Sequence, residues 1–294
     1  MYQFKKAQTM KPAAFRYHAP TTVEEALSLL AEHAPDDGRV LAGGQSLVPT
    51  MAFRLARPHH LVDINGIPAL RKLAVEDGWL VVGAGVRHQG FREPVVEGPL
   101  GALLSAVMRH IAHYPIRTRG TLCGSIAHAD PASEWCLVAA TLGAHMVARS
   151  ARGTRVVAAG DWFLGIMTTA LEPDELLTEV RLPLPFPDTR FGFYEFNRRA
   201  GDFAMAMALV AFRLEDGVIA DPRVGVGAAE THPRRIIEAE ALLTGRAPGD
   251  AAFRAAAAAA AAAIDPLTDA QTDAVYRREL VAVVTRRALE QATR

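Results

Sequence analysis

Cysteine is nearly absent: Cys123 and Cys136 are the only two in 294 residues. Two thiols build no disulfide scaffold, and their spacing matches no zinc or iron–sulfur ligand cluster, so any iron–sulfur centre this protein works with must sit on another chain. Net charge is absent too, with 32 basic and 32 acidic side chains, which removes the electrostatic argument for nucleic acid or an anionic membrane surface. No apolar run approaches the roughly 20 residues of a membrane helix. Residues 1–9 carry Lys5 and Lys6 but no apolar secretory segment, so a cytoplasmic location is expected, and those nine residues are expected to be a loosely held extension. Also missing are the two commonest nucleotide fingerprints. No lysine follows Gly44 or Gly124 where a P-loop requires one, and Gly83-Ala84-Gly85 continues as Val86-Arg87-His88 without the third glycine of a Rossmann turn.

What is present is a pair of glycine-bearing segments far apart in the chain. Ala42-Gly43-Gly44-Gln45-Ser46 follows the apolar pair Val40-Leu41 and precedes an apolar segment from Leu47 to Leu55, the order of strand, glycine turn and helix start. The second, Thr121-Leu122-Cys123-Gly124-Ser125, reads as a turn-rich loop leading to Asp130 and Pro131, which predict a helix over 132–142 with Asp130 as its cap. Glycine lets a ligand approach the backbone, and unpaired N–H groups with nearby hydroxyls suit a phosphate. Either loop alone is equally an ordinary capped turn. Together they suit the two phosphates of one dinucleotide.

The remaining chain divides at Pro183, Pro185 and Pro187. Before them, Thr22-Val23-Glu24-Glu25 opens a helix through a capping box, strands are predicted at 61–64, 146–149, 155–159 and 176–182, and a hairpin turns at Glu76-Asp77-Gly78. An apolar helix is predicted over 99–113. Strands are expected after the prolines at 191–196, 205–214, 218–219 and 223–229. Helices follow at 235–243, around the alanine run 255–263 and at 273–292, the last with Tyr276, Leu280, Val283, Val284 and Leu289 on its apolar face. Sheet then helices is an α+β layer domain. The pairs His59-His60 and His110-His113 lack a completing carboxylate or thiol at ligand spacing, so no metal site is expected. Cys123 reads as a small buried filler.

These segments carry a resemblance. Ala42-Gly43-Gly44-Gln45-Ser46, Thr121-Leu122-Cys123-Gly124-Ser125, Ala129-Asp130-Pro131-Ala132-Ser133-Glu134 and Arg198-Arg199-Ala200-Gly201-Asp202-Phe203-Ala204 are together similar to the FAD-binding medium subunit of the molybdenum hydroxylases, the family of aerobic carbon monoxide dehydrogenase and xanthine dehydrogenase flavoproteins. Cys123 stands where that family commonly has glycine. The resemblance implies an α+β fold: a two-part PCMH-type FAD-binding domain over 10–185 and a smaller C-terminal domain over 188–294. It implies noncovalent FAD, held by the backbone of Ala42, Gly43, Gly44, Gln45, Ser46 and Leu47 on one side and by Thr121, Gly124 and Ser125 on the other. By the same resemblance His128, Asp130 and Glu134 line the cofactor, their carboxylates accepting hydrogen bonds from its hydroxyls, while Ile111, Ala112 and Leu177 lie near the ring. Residues 198–204 close over the flavin or touch a neighbouring subunit. No residue is assigned a catalytic role. The implied function is electron transfer from [2Fe–2S] clusters on a small partner, with molybdopterin on a large one, in a dimer of heterotrimers. A self-sufficient FAD-dependent oxidase and a nonenzymatic binding protein of the same fold remain open.

Overall fold

The computed structural model describes residues 11–294, so the expected extension over 1–9 lies outside the described residues. The chain opens with a small parallel unit: β1 (Arg16–His18), α1 (Val23–His33), β2 (Gly38–Leu41), α2 (Leu47–Ala52) and β3 (His60–Asp63), with β3 in the middle of the sheet. The Thr22 hydroxyl caps α1 by accepting from the Glu25 N–H at 3.2 Å. Glu25 returns to the N–H of Thr21 rather than Thr22, at 2.8 Å. The helix buries Val23, Ala26, Leu27 and Leu30, and each large aliphatic side chain contributes roughly 1.5–3 kcal/mol by leaving water.

A five-stranded antiparallel sheet follows. It comprises β4 (Leu73–Glu76), β5 (Trp79–Gly83), then after an intervening run of helices β6 (His145–Ser150), β7 (Gly153–Ala158) and finally β10 (Leu176–Pro183), ordered β4-β5-β10-β6-β7. The helices are α3 (Pro99–Met108), α4 (Tyr114–Arg117), α5 (Leu122–His128) and α6 (Glu134–Leu142); α7 (Ala159–Trp162) and the ribbon β8 (Phe163–Gly165) and β9 (Thr168–Thr169) precede β10.

Three sequence expectations need correction here. The helix predicted over 99–113 stops at Met108: His110 and Ile111 tighten to bonds with the carbonyls of Val107 and Met108, and Ala112 then turns left-handed at a φ of 42°, which no helix continues through. The glycine segment at 121–125 is itself the helix α5: Thr121 caps it, and burial of Leu122, Cys123 and Ile126 outweighs the poor helix propensity of Gly124 and Ser125. The helix expected from 132 begins at Glu134, since Asp130 spends its side chain on the Ala132 N–H (2.9 Å) in a local turn and caps no helix.

Beyond the prolines lies an antiparallel sheet of β11 (Arg190–Phe196), β12 (Ala206–Glu215), β13 (Val218–Gly227) and β14 (Arg234–Arg235). Two of the expected strands are one: β13 runs through Asp221, whose φ of 49° marks an irregularity that the chain absorbs without ending the strand. Helices α8 (Ile237–Leu243), α9 (Asp250–Ala263) and α10 (Ala274–Ala292) cover one face. Tyr276 and Val283 are exposed, so the buried face of α10 is Arg277, Leu280, Val281, Val284, Ala288, Leu289 and Ala292 instead. The other face meets α6, where a Cβ on Gly225 would lie 1.8 Å from Thr141 Oγ1. Met207, Leu209 and Phe193 therefore join the core of the first domain.

Candidate functional site

The two glycine segments meet. A Cβ placed on Gly43 would sit 2.4 Å from the carbonyl oxygen of Arg119 and 2.6 Å from the Cα of Gly120, so only glycine lets the backbones touch. Gly44 holds φ at 71°, turning the chain into α2. Two side chains that sequence reasoning passed over fasten this junction. Asn65 Nδ2 donates to the Ala42 carbonyl at 2.8 Å. Arg87 donates to Asn65 Oδ1 at 2.5 Å and also to the Arg119 carbonyl. Arg87 is half-buried, and the loss of solvation lowers its affinity for the proton, yet it stays charged because a guanidinium starts so high.

Beside the junction opens a cleft of about 900 Å³. Ala42, Gly43, Gly44, Gln45, Ser46 and Leu47 line one wall, and Thr121, Gly124, Ser125, His128, Asp130 and Glu134 another, with Ile111 and Ala112 near them. Gly201, Asp202 and Phe203 reach the same cleft from the C-terminal domain. Leu177 does not: it is buried in β10 among core residues. The Ile111–Ala112 turn is held by Arg117, whose guanidinium donates to the carbonyls of Ile111 (2.5 Å), Arg109 (2.6 Å) and Ala112 (3.0 Å).

The walls differ in what they offer. Among the described residues the backbone N–H groups of Gly44, Gln45 and Ser46 donate to no protein acceptor, while Gln45 Nε2 turns back to the Gly43 carbonyl at 3.0 Å. In α5 the corresponding groups are occupied: Gly124 N–H reaches Thr121 Oγ1 at 3.0 Å and Ser125 N–H the Thr121 carbonyl at 3.1 Å. That wall presents hydroxyls.

Burial sets the protonation of two groups here. Glu134 is pushed up to about 8 by desolvation, helped by the nearby Glu195 carboxylate, so at neutral pH it holds a proton and can donate as well as accept. His88, which lines the cleft, is pushed down to about 4 by burial. Its Nδ1 accepts from Trp135 Nε1 at 2.9 Å, which leaves the proton on Nε2, and Gly120 is glycine because a Cβ there would lie 2.5 Å from that nitrogen. Sequence reasoning saw the Val86-Arg87-His88 stretch only as a failed Rossmann turn. Cys123 is buried, its thiol raised by desolvation and directed at the Val82 carbonyl at 3.3 Å, as a space-filling residue would be. His110 pairs with Glu195 (3.1 Å) and His59 with Asp36 (3.1 Å).

A glycine-tightened cleft with unused backbone donors on one wall and hydroxyls on the other is of the kind that suits a dinucleotide. Residues 13–185 match the family model of the FAD binding domain in molybdopterin dehydrogenase, and residues 191–292 match the CO dehydrogenase flavoprotein C-terminal domain. The chain is 39% identical to the caffeine dehydrogenase subunit beta of Pseudomonas sp. (strain CBB1), with 96% of each chain covered. To the nicotine 6-hydroxylase medium subunit of Paenarthrobacter nicotinovorans it is 37% identical over 96% of this chain and 99% of the other. A solved carbon monoxide dehydrogenase from Hydrogenophaga pseudoflava superposes with a TM-score of 0.92 at 36% identity, covering 96% of this chain and 98% of that one. The chain belongs to the FAD-binding medium subunits of the molybdenum hydroxylases, and its class is oxidoreductase subunit. Among the described residues no helix is long and apolar enough to cross a membrane.

Proposed function

We propose that this chain binds FAD noncovalently in the cleft between its glycine segments and works in the cytoplasm as the electron-transfer subunit of a molybdenum hydroxylase. Electrons arrive from [2Fe–2S] clusters on a small subunit after substrate oxidation at molybdopterin on a large one, and leave to an external acceptor; the assembly is a dimer of such heterotrimers. The observation that carries this reading is the contact of Gly43 with Arg119 and Gly120, which brings two segments remote in sequence to one cleft.

The residues fit the cofactor. The N–H groups of Gly44, Gln45 and Ser46 lack acceptors among the described residues and suit one side of a diphosphate, with Ala42, Gly43 and Leu47 shaping that wall. Thr121 and Ser125 offer hydroxyls to the other side, and Gly124 keeps α5 slim there. His128 and Asp130 suit the sugar hydroxyls. Glu134, protonated at neutral pH, suits a polar edge that needs either a donor or an acceptor. Ile111 and Ala112, pinned by Arg117, give a fixed apolar surface for one ring face. Leu177 supports that region only from the core. FAD, when bound, supplies two-electron capacity with release one at a time or in a pair; the protein supplies placement and local field.

The purified chain is expected to show flavin absorbance that is released on denaturation. Gly44→Glu places bulk and negative charge against the donor wall and should abolish flavin uptake, whereas Gly44→Ala adds left-handed strain of roughly 1–2 kcal/mol and a methyl 3.2 Å from Leu41 Cδ1 and Val48 Cγ2. Full flavin content in a folded Gly44→Glu chain overturns the assigned loop.

A further inference from the structure

Away from the cleft's glycine junction, three histidines from three elements of the parallel unit converge. His18 ends β1, His33 ends α1 and His60 begins β3. One ring nitrogen of each lies within 4.8 Å of those of the other two. The His33 ring stacks on that of His60 with centroids 3.9 Å apart, and the His18 ring lies 5.2 Å from His60. The side chains of His33 and His60 are only 13% and 7% exposed. From this convergence we propose that His18, His33 and His60 form a binding site for a divalent transition-metal ion of the zinc, nickel or copper type, stapling β1, α1 and β3 together. Sequence spacing hid it because the ligands are scattered over the chain.

His60 Nε2 lies 3.4 Å from Asp36 Oδ2, and its Nδ1 lies 2.9 Å from His18 Nε2. Without a metal, one of those two facing nitrogens carries the proton that joins them, and a metal ion takes that proton's place. A carboxylate behind the far nitrogen of a histidine orients the ring and strengthens its near nitrogen as a ligand, the arrangement that supports metal-bound histidines elsewhere. Metal–nitrogen bonds of about 2.0–2.1 Å in tetrahedral geometry set neighbouring nitrogens about 3.3 Å apart; the His18–His60 pair is a few tenths of an ångström too close, within reach of small side-chain rotations. His33 must turn its ring out of the stack to complete the set. Imidazole ligands with no thiolate suit zinc, nickel and copper over calcium or magnesium.

The test is titration of the full chain, stripped with EDTA and dialysed, with zinc chloride at pH 7.5 in a calorimeter. One zinc per chain is expected, with a rise of a few degrees in Tm under excess metal. His18→Gln and His33→Ala should lose the stoichiometric site, and Asp36→Asn should weaken it about tenfold. Asp36 is exposed, so that variant reports even where a histidine variant fails to fold. Electron paramagnetic resonance of the wild-type chain loaded with one equivalent of Cu²⁺ should show coupling to several imidazole nitrogens. Absence of zinc uptake by the wild-type chain, or uptake unchanged in all three variants, overturns the site and leaves a packed histidine cluster.

Discussion

The two glycine segments that form the cleft look alike in sequence and work by different physics. At Gly43 the missing side chain is needed by the fold, because the Cβ position is filled by the backbone of Arg119 and Gly120. At Gly124 a Cβ would meet only Thr121 Oγ1, at 2.7 Å, a side-chain atom that can rotate aside. The first segment keeps its N–H groups free and the second uses them to hold a helix together. Glycine in a motif therefore does not by itself mean a ligand. The largest expected effect in breaking this contrast is Gly43→Ala. The added methyl cannot be relieved without separating the segments, and overpacking of this kind costs about 3 kcal/mol. Both the denaturant midpoint and the flavin content should fall, and retention of either one at the wild-type level would show that the contact is not what joins the walls.

The sequence made the first segment legible because strand, glycine pair and helix start follow one another locally, and turn chemistry is a local property. It misled at the second because Gly124, Ser125 and Thr121 are turn formers by propensity, while the burial of Leu122 and Ile126 that makes them helical is tertiary. Asn65 and Arg87 were illegible for a related reason. Each acts across more than 20 residues on a backbone carbonyl, of Ala42 and of Arg119, and a backbone carbonyl has no sequence identity. Leu177, placed near the ring by the resemblance alone, is buried in β10 among core residues. The end of a strand near the prolines was legible from backbone rules, since β10 ends at Pro183 and β11 starts at Arg190.

Glu134 sharpens the contrast on the α5–α6 side, where the cleft relies on side chains. Its folded pKa of about 8 lies above the ordinary carboxyl value of 4.5. Between these values the folded chain holds a proton that the unfolded chain has released, so stability falls as pH rises through that window. His88 acts oppositely: its folded value of about 4 lies below 6.5, and stability falls as pH drops from 6.5 toward 4. Above pH 6.5 only the Glu134 contribution remains of the two. Between pH 6.5 and 8 the flavin-free chain should lose about 2 kcal/mol on this account, and Glu134→Gln, which cannot ionise, should remove that slope from Tm plotted against pH. An identical slope in the variant would place the titrating group elsewhere.

Gly124→Ala is the finest of these tests, because two effects of similar size oppose each other. Alanine in a helix interior is favoured over glycine by about 1 kcal/mol. Against that, the new methyl forces Thr121 Oγ1 out of its place on the Gly124 N–H, and losing such a cap costs about 1 kcal/mol. Net stability should therefore change by less than about 0.5 kcal/mol, within the spread of ordinary substitutions. Flavin affinity has no such compensation. The rotated Thr121 hydroxyl and the added methyl both alter the wall facing the proposed diphosphate, so FAD dissociation, followed by fluorescence on dilution, should quicken while Tm holds. If Tm falls and affinity stays, Gly124 belongs to the packing of the helix, as Gly43 belongs to the contact between segments. If affinity falls alone, it is a residue kept small for the cofactor.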